Sequence, residues 1–308
     1  MRLLRSARAG MAVVCTSALV AAPLLVPATA TAQRAEAAAI QSITIRVAKQ
    51  AITVKGAKGL DAGRIKVQVK GRGSAEIAMF DRGYDYRDFS KDAAAADKGN
   101  MKALKRALAN TTILGGFQSG GSGTIVLPKA GEYTVFSFES RGHAVLTAGK
   151  GRTSPAPDVD GKIVGKTGPV WGGSNTLPAK GTFLFKNADK TVPHFVVLQQ
   201  VVEGTTTDQV LAALTSGEEG PPPDFMLPAG MDTGSLSPGR KMTVNYDLPP
   251  GQYVIMCFFP DPNMQGMPHA FMGMLKMIHL GGGGSAAGTG DPSQGVPGTI
   301  TSVARPGW

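Results

Sequence analysis

Apolar residues in this chain recur at every second position in short runs, and each run is closed by glycine or proline. Ile43-Thr44-Ile45-Arg46-Val47 and Ile65-Lys66-Val67-Gln68-Val69 show the pattern most cleanly, and it returns at 133–138, 182–185 and 253–258. A period of two sends alternate side chains to opposite faces of an extended segment, which suits a half-buried strand and not a helix. The 41 glycines and 21 prolines among 308 residues supply turns, in clusters such as Ser119-Gly120-Gly121 and Pro249-Pro250-Gly251. The chain is therefore expected to be all-β, with short helices inserted between strands. One helix is expected over 101–109 behind Asn100 as N-cap. A second is expected over 208–216, where Thr206 and Gln209 have capping-box spacing and Gly217 closes the end.

The pattern is written twice. "GRIKVQVKGRGSAEIAMF" from Gly63 aligns without a gap to "GTFLFKNADKTVPHFVVL" from Gly181, and "LPKAGEYTVFSF" from Leu127 matches "LPPGQYVIMCFF" from Leu248 with one gap. One of the two helices lies between the matched segments in each half. The length allows about two domains. The expected layout is a leader at 1–32, a first β-domain at 33–150, a linker at 151–162, a second β-domain at 163–280, and a disordered glycine-rich tail at 281–308. Within the second half, a first strand is expected near Val170-Trp171.

Arg2, Arg5 and Arg8, an apolar run broken by Pro23 and Pro27, and Ala30-Thr31-Ala32 have the layout of a secretory signal peptide. No later segment is long and apolar enough to be read as a transmembrane helix. The expected location is outside the cell or on its envelope. The formal net charge of +10 is uneven: residues 33–150 hold 19 Lys and Arg against 10 Asp and Glu, whereas 151–308 hold 10 against 12. The basic half offers a contact for an anionic cell envelope or an acidic partner. Its charges are not interleaved with aromatics, so a nucleic-acid module is excluded.

After leader cleavage one cysteine remains, Cys257, where exported proteins usually carry pairs. Tyr253, Ile255 and Cys257 share one strand face, so the thiol points inward. His194 follows Pro193 at the start of another strand, and His269 and Met274 follow the cysteine. A thiolate, two imidazoles and a weak axial thioether suit a copper ion engaged in electron transfer.

"TVPHFVVL", "LPPGQYVIMC" and "PHAFMGMLKMIHL" resemble the ligand-bearing segments of the plastocyanin-like blue copper proteins, the cupredoxins. The resemblance covers 170–280 well and 43–148 weakly. It implies two tandem Greek-key β-sandwiches and one copper ion, cycling between Cu(I) and Cu(II), in the second. His194, Cys257 and His269 would be equatorial ligands and Met274 axial. In the first half Glu76 stands for His194, Ser137 for Cys257 and Ala148 for Met274, while His143 keeps its place. That half therefore lacks the thiolate and is expected to be a degenerate copy. The Cys257–His269 loop has eleven intervening residues, longer than in most single-domain cupredoxins. Phe195 stands where plastocyanins have an asparagine that ties the ligand loops together. Both features predict a less firmly held His269, while Pro260, Pro262 and Pro268 restrict the loop backbone and offset part of the ordering cost.

The resemblance implies outer-sphere electron transfer with an unidentified redox partner protein, and no enzymatic activity. Multicopper oxidases and copper nitrite reductases need further histidines, but Cys257 is flanked by Met256 and Phe258, and no His-x-His occurs. An inward cysteine on a strand also makes a poor nucleophile. The alternatives are a copper-carrying or buffering protein, favoured if Met264, Met267 and Met272 form a Cu(I) thioether site, and a metal-free binding module. His143 and His279 are read as structural.

Overall fold

The computed structural model describes residues 39–216 and 221–281. The leader at 1–32, the tail beyond Gly281 and the helix stop at Gly217 lie outside the described residues. The first half contains β1 (Gln41–Val47), β2 (Ile52–Lys55), β3 (Asp61–Gly71), β4 (Ser74–Phe80), α1 (Tyr86–Ala96), α2 (Met101–Asn110), β5 (Thr111–Gln118), β6 (Ser122–Leu127), β7 (Gly131–Phe136) and β8 (Ala144–Arg152). The second contains β9 (Gly161–Lys166), β10 (Val170–Gly173), β11 (Thr176–Leu177), β12 (Lys180–Asn187), β13 (Val197–Val201), α3 (Thr207–Thr215), β14 (Met226–Asp232), β15 (Lys241–Asp247), β16 (Gly251–Met256), β17 (Pro260–Asp261), β18 (Met267–Pro268), a 3-10 turn (His269–Met272) and β19 (Leu275–Leu280).

The chain is all-β, and its alternation translates into burial. In β1, Ile43, Ile45 and Val47 are buried while Arg46 is exposed; in β3, Ile65, Val67 and Val69 are buried while Lys66 and Gln68 are exposed. One face packs on the core and the other meets solvent. Strand β16 departs from this pattern, being buried on both faces. Tyr253 and Ile255 enter the main core, whereas Val254 and Met256 pack with Val210 of α3 and with Ala270.

One pairing scheme occurs in both halves. Strand β1 runs parallel to β3, which is antiparallel to β6; β4 is antiparallel to β5 and β7, and β7 to β8. In the same way β9 runs parallel to β12, which is antiparallel to β15; β13 is antiparallel to β14 and β16, and β16 to β19. Even the turn before the central strand repeats. The hydroxyl of buried Tyr133 donates to the Lys129 carbonyl, as that of Tyr253 does to Pro249 at 2.8 Å.

Three helices occur among the described residues where the sequence suggests two. The additional one, α1, is closed by a capping box in which Asp85 accepts from the Asp88 amide and Asp88 accepts from the Asp85 amide. Val170-Trp171 lies in β10, not in the first strand of its half; β9 precedes it.

The halves are joined edge to edge. Strand β15 pairs with β6, matching Thr243 with Thr124 and Val244 with Gly123, and the two threonine hydroxyls lie 2.9 Å apart. A Cβ on Gly123 would lie 1.9 Å from the Thr243 carbonyl oxygen, so only glycine allows this contact. Gly123→Ala is therefore expected to lower stability by about 2 kcal/mol or more, the scale of forced overpacking. Denaturant unfolding of the full chain measures it.

Candidate metal centre

The local chain path sets three side chains against one another. His194 forms an isolated antiparallel bridge with Leu236: its amide donates to the Leu236 carbonyl at 3.2 Å and its carbonyl accepts from the Leu236 amide at 2.8 Å. The loop before it is organised by buried Asn187, whose side-chain amide donates to the carbonyls of Val192 and Leu236. The ring lies over Gly165, where a Cβ would come within 2.6 Å of its Cδ2. Cys257 continues the core-facing side of β16.

The eleven-residue loop is not loose. Its ends pair as β17 and β18, with Pro260 opposite Pro268 and Asp261 opposite Met267. Its turn is closed by Met264 and Gly266 amides donating to the Asp261 carbonyl, with Gln265 and Gly266 both at positive φ. The His269 amide donates to Phe259 at 3.1 Å and the Ala270 amide to Cys257 at 2.6 Å. His269 is thus tied back to the cysteine strand, contrary to the expectation from loop length. Phe195 also ties the loops without an asparagine side chain, because its backbone N–H, like that of Phe259, donates toward the Cys257 sulfur.

His194, Cys257 and His269 converge with no solvent exposure. Nδ1 of His194 lies 3.1 Å from Nδ1 of His269, and the Cys257 Sγ lies 3.7 and 3.6 Å from these two nitrogens. The centre of such a triangle is about 2.0 Å from each corner, close to a metal–imidazole bond and slightly short of a metal–thiolate bond. The donor set therefore fits a small, borderline-soft ion. Met274 is buried in the same core cluster as Cys257. Its amide donates to the His269 carbonyl at 3.0 Å, and its carbonyl accepts from the Trp171 indole at 3.1 Å. The other histidines lie elsewhere: His143 stacks on Tyr86 at 4.3 Å, and His279 contacts Glu203. Met264 and Met267 are exposed on the hairpin.

Electrostatics keep these donors neutral. Burial, with a smaller contribution from neighbouring His269, pushes the His194 imidazole down to about 4, partly opposed by Asp189. His269 is lowered too, chiefly by burial. Burial pushes the Cys257 thiol up to about 12 against the two backbone donors. Burial would raise the Asp189 carboxyl, but the amides of Thr191 and Val192 and the Thr191 hydroxyl hold it below the usual range. Asp189, Asp261, Asn187 and Gly165 carry no motif, and the sequence reading missed them. The Asp-Lys-Thr turn at 189–191 is the one local signal present.

A histidine whose folded-state value is depressed contributes stability that is fully present above its unfolded value of 6.5. That contribution is lost as pH falls through the folded value of about 4. Metal-free protein should therefore lose roughly 3 kcal/mol between pH 6.5 and 4 from His194. His269 acts in the same direction. Thermal unfolding across this interval checks it, and His194→Gln should flatten the slope.

No family model matches the chain, and no curated protein sequence matches it. Among solved structures it is similar to reduced auracyanin from the photosynthetic bacterium Roseiflexus castenholzii, at 22% identity and a TM-score of 0.26, covering 39% of this chain and 95% of that one. It is also similar to auracyanin A, a "blue" copper protein from Chloroflexus aurantiacus, at 16% identity and a TM-score of 0.25, covering 39% and 95%. A multi-copper oxidase from Pediococcus acidilactici spans more of this chain, 78% against 58% of its own, at 9% identity and a TM-score of 0.24. At these identities and scores the likenesses carry no argument about chemistry, which rests on the chain's own donors.

Proposed function

We propose that the protein is an exported electron-transfer protein that holds one copper ion between His194, Cys257 and His269, with Met274 as weak axial ligand. The observation that supports this most is the convergence of two imidazole Nδ1 atoms and one thiol within 3.7 Å in a solvent-free core. A thiolate with two imidazoles and a distant thioether is a copper electron-transfer set. Copper held there would supply a one-electron Cu(II)/Cu(I) couple. The chain's own residues fix the donors on three tied loops, exclude water, and surrender the Cys257 proton on loading. All three donors are buried, which favours electron passage over turnover of a bound substrate. Among the described residues no helix is long and apolar enough to cross a membrane.

The two β-domains, 33–150 and 163–280 about the 151–162 linker, are proposed to be copies, supported by the repeated pairing scheme. In the first, Ser137 at the cysteine position donates to Glu139, and Glu76, aligned with His194 in sequence but opposite Phe136 as Val197 is opposite Met256, accepts from the Ser235 amide. This half is read as scaffold, and its basic surface as a contact for an anionic envelope. Exposed Met264 and Met267, on the β17–β18 hairpin that leads into His269, favour a second reading, copper carriage.

Cu(II) titration of the exported form, followed by visible absorption and electron paramagnetic resonance, should reach one copper per chain with an intense charge-transfer band. Cys257→Ser should abolish that band; a mutant spectrum matching wild type would show that the thiolate is not a ligand. Met274→Leu should keep copper and raise the reduction potential, since an apolar axial position favours Cu(I). By contrast His269→Ala should weaken binding roughly tenfold or more, about 1.4 kcal/mol. The reverse order of these two effects would favour carriage.

A further inference from the structure

Two nitrogens of the donor set face away from the sulfur. Nε2 of His194 and Nε2 of His269 are both buried and neither has a partner at hydrogen-bond distance. Each is nevertheless faced by one carboxylate oxygen, and the two carboxylates come from different loops. Oδ2 of Asp189 lies 3.6 Å from His194 Nε2, and Oδ2 of Asp261 lies 3.9 Å from His269 Nε2.

The two aspartates are built alike. Oδ1 of Asp189 accepts from the Thr191 amide at 2.7 Å, the Thr191 hydroxyl at 3.0 Å and the Val192 amide at 3.2 Å. Oδ1 of Asp261 accepts from the Asn263 amide at 2.8 Å. One oxygen thus anchors each carboxylate to its own turn, and the other is presented to an imidazole. Both side chains are largely withdrawn from water, at 3% and 14% exposure, so water competes weakly for Oδ2.

We infer that Asp189 and Asp261 are positioning residues for the copper ion, each accepting the Nε2 proton of one liganding histidine; this rests on the ligand set proposed above. At 3.6 and 3.9 Å neither pair is a hydrogen bond in the metal-free chain. A cation at Nδ1 makes the Nε2–H a stronger donor, and a small ring rotation closes the gap. The consequence is specific. The carboxylate selects the tautomer with Nδ1 bare, holds the ring plane, and raises the ring's basicity toward the metal. Asp189, nearer and more buried, carries the larger share.

The test uses Asp189→Asn and Asp261→Asn in the full exported chain. Asparagine keeps Oδ1 for the loop amides but turns an N–H toward the imidazole, so loop and imidazole roles separate. Three quantities are measured: the Cu(II) dissociation constant by chelator competition, the melting temperature of metal-free protein, and the proton resonances of the histidine Nε2–H groups in the diamagnetic Cu(I) form. Each variant should bind copper roughly ten- to a hundredfold more weakly. The metal-free melting temperature of Asp261→Asn should be unchanged, and that of Asp189→Asn should fall only by what three charge-assisted loop hydrogen bonds lose on becoming neutral. In each, only the facing histidine's N–H resonance should move upfield. Wild-type affinity and resonances in both variants would overturn the inference while leaving the ligand set standing. Loss of affinity in Asp261→Asn in parallel with its metal-free melting temperature, or unmoved N–H resonances in both variants, would overturn it in favour of loop scaffolding. Failure of wild type itself to bind copper would refute the ligand set, and the inference with it.

Discussion

Two imidazole nitrogens and a thiol are held within 3.7 Å of one another where no water reaches them. Electron-pair donors brought together in a dry core lose hydration and satisfy one another poorly, which makes the metal-free arrangement costly. The rest of the second half can be understood as what keeps them there. Asn187 and Leu236 fix the His194 segment, Gly165 leaves room for its ring, and the β17–β18 hairpin draws His269 back to the cysteine strand.

The first half takes part in this restraint. Residues 233–237 run between the halves: the Gly234 amide donates to Gly116, the Ser235 amide to Glu76, and Ser237 exchanges backbone hydrogen bonds with Ile113 through both its amide and its hydroxyl. Leu236, in the middle of that run, is the residue bridged to His194. The first half thus braces the segment bridged to His194. Glu76, buried in β4, contributes to that brace through the Ser235 amide.

Much of this was legible in the sequence because it is encoded locally. Period-two runs at 43–47 and 65–69 became strands with the expected faces buried, and Thr206 and Gln209 formed the expected capping box. Helix α1 escaped notice because only Phe89, Asp92 and Ala96 along it are buried, too little for an apolar stripe. The long loop is firmer than its length implies because backbone hydrogen bonds tie it, from the Met264 and Gly266 amides to Asp261 and from the His269 amide to Phe259, which composition does not encode. Likewise the tie expected of an asparagine side chain is made by the Phe195 backbone, to which residue identity is silent. Asp189 and Asp261 gain meaning only through facing imidazoles that the fold brings to them.

The central claim is that Cys257, His194 and His269 together form one copper's equatorial set. Copper-edge X-ray absorption of the loaded full chain reads that set directly. The account predicts one sulfur at about 2.2–2.3 Å and two imidazole nitrogens at about 2.0 Å, near the lengths of other borderline-metal thiolate and imidazole bonds. A first shell of nitrogen and oxygen alone, with no sulfur at that distance, would contradict it.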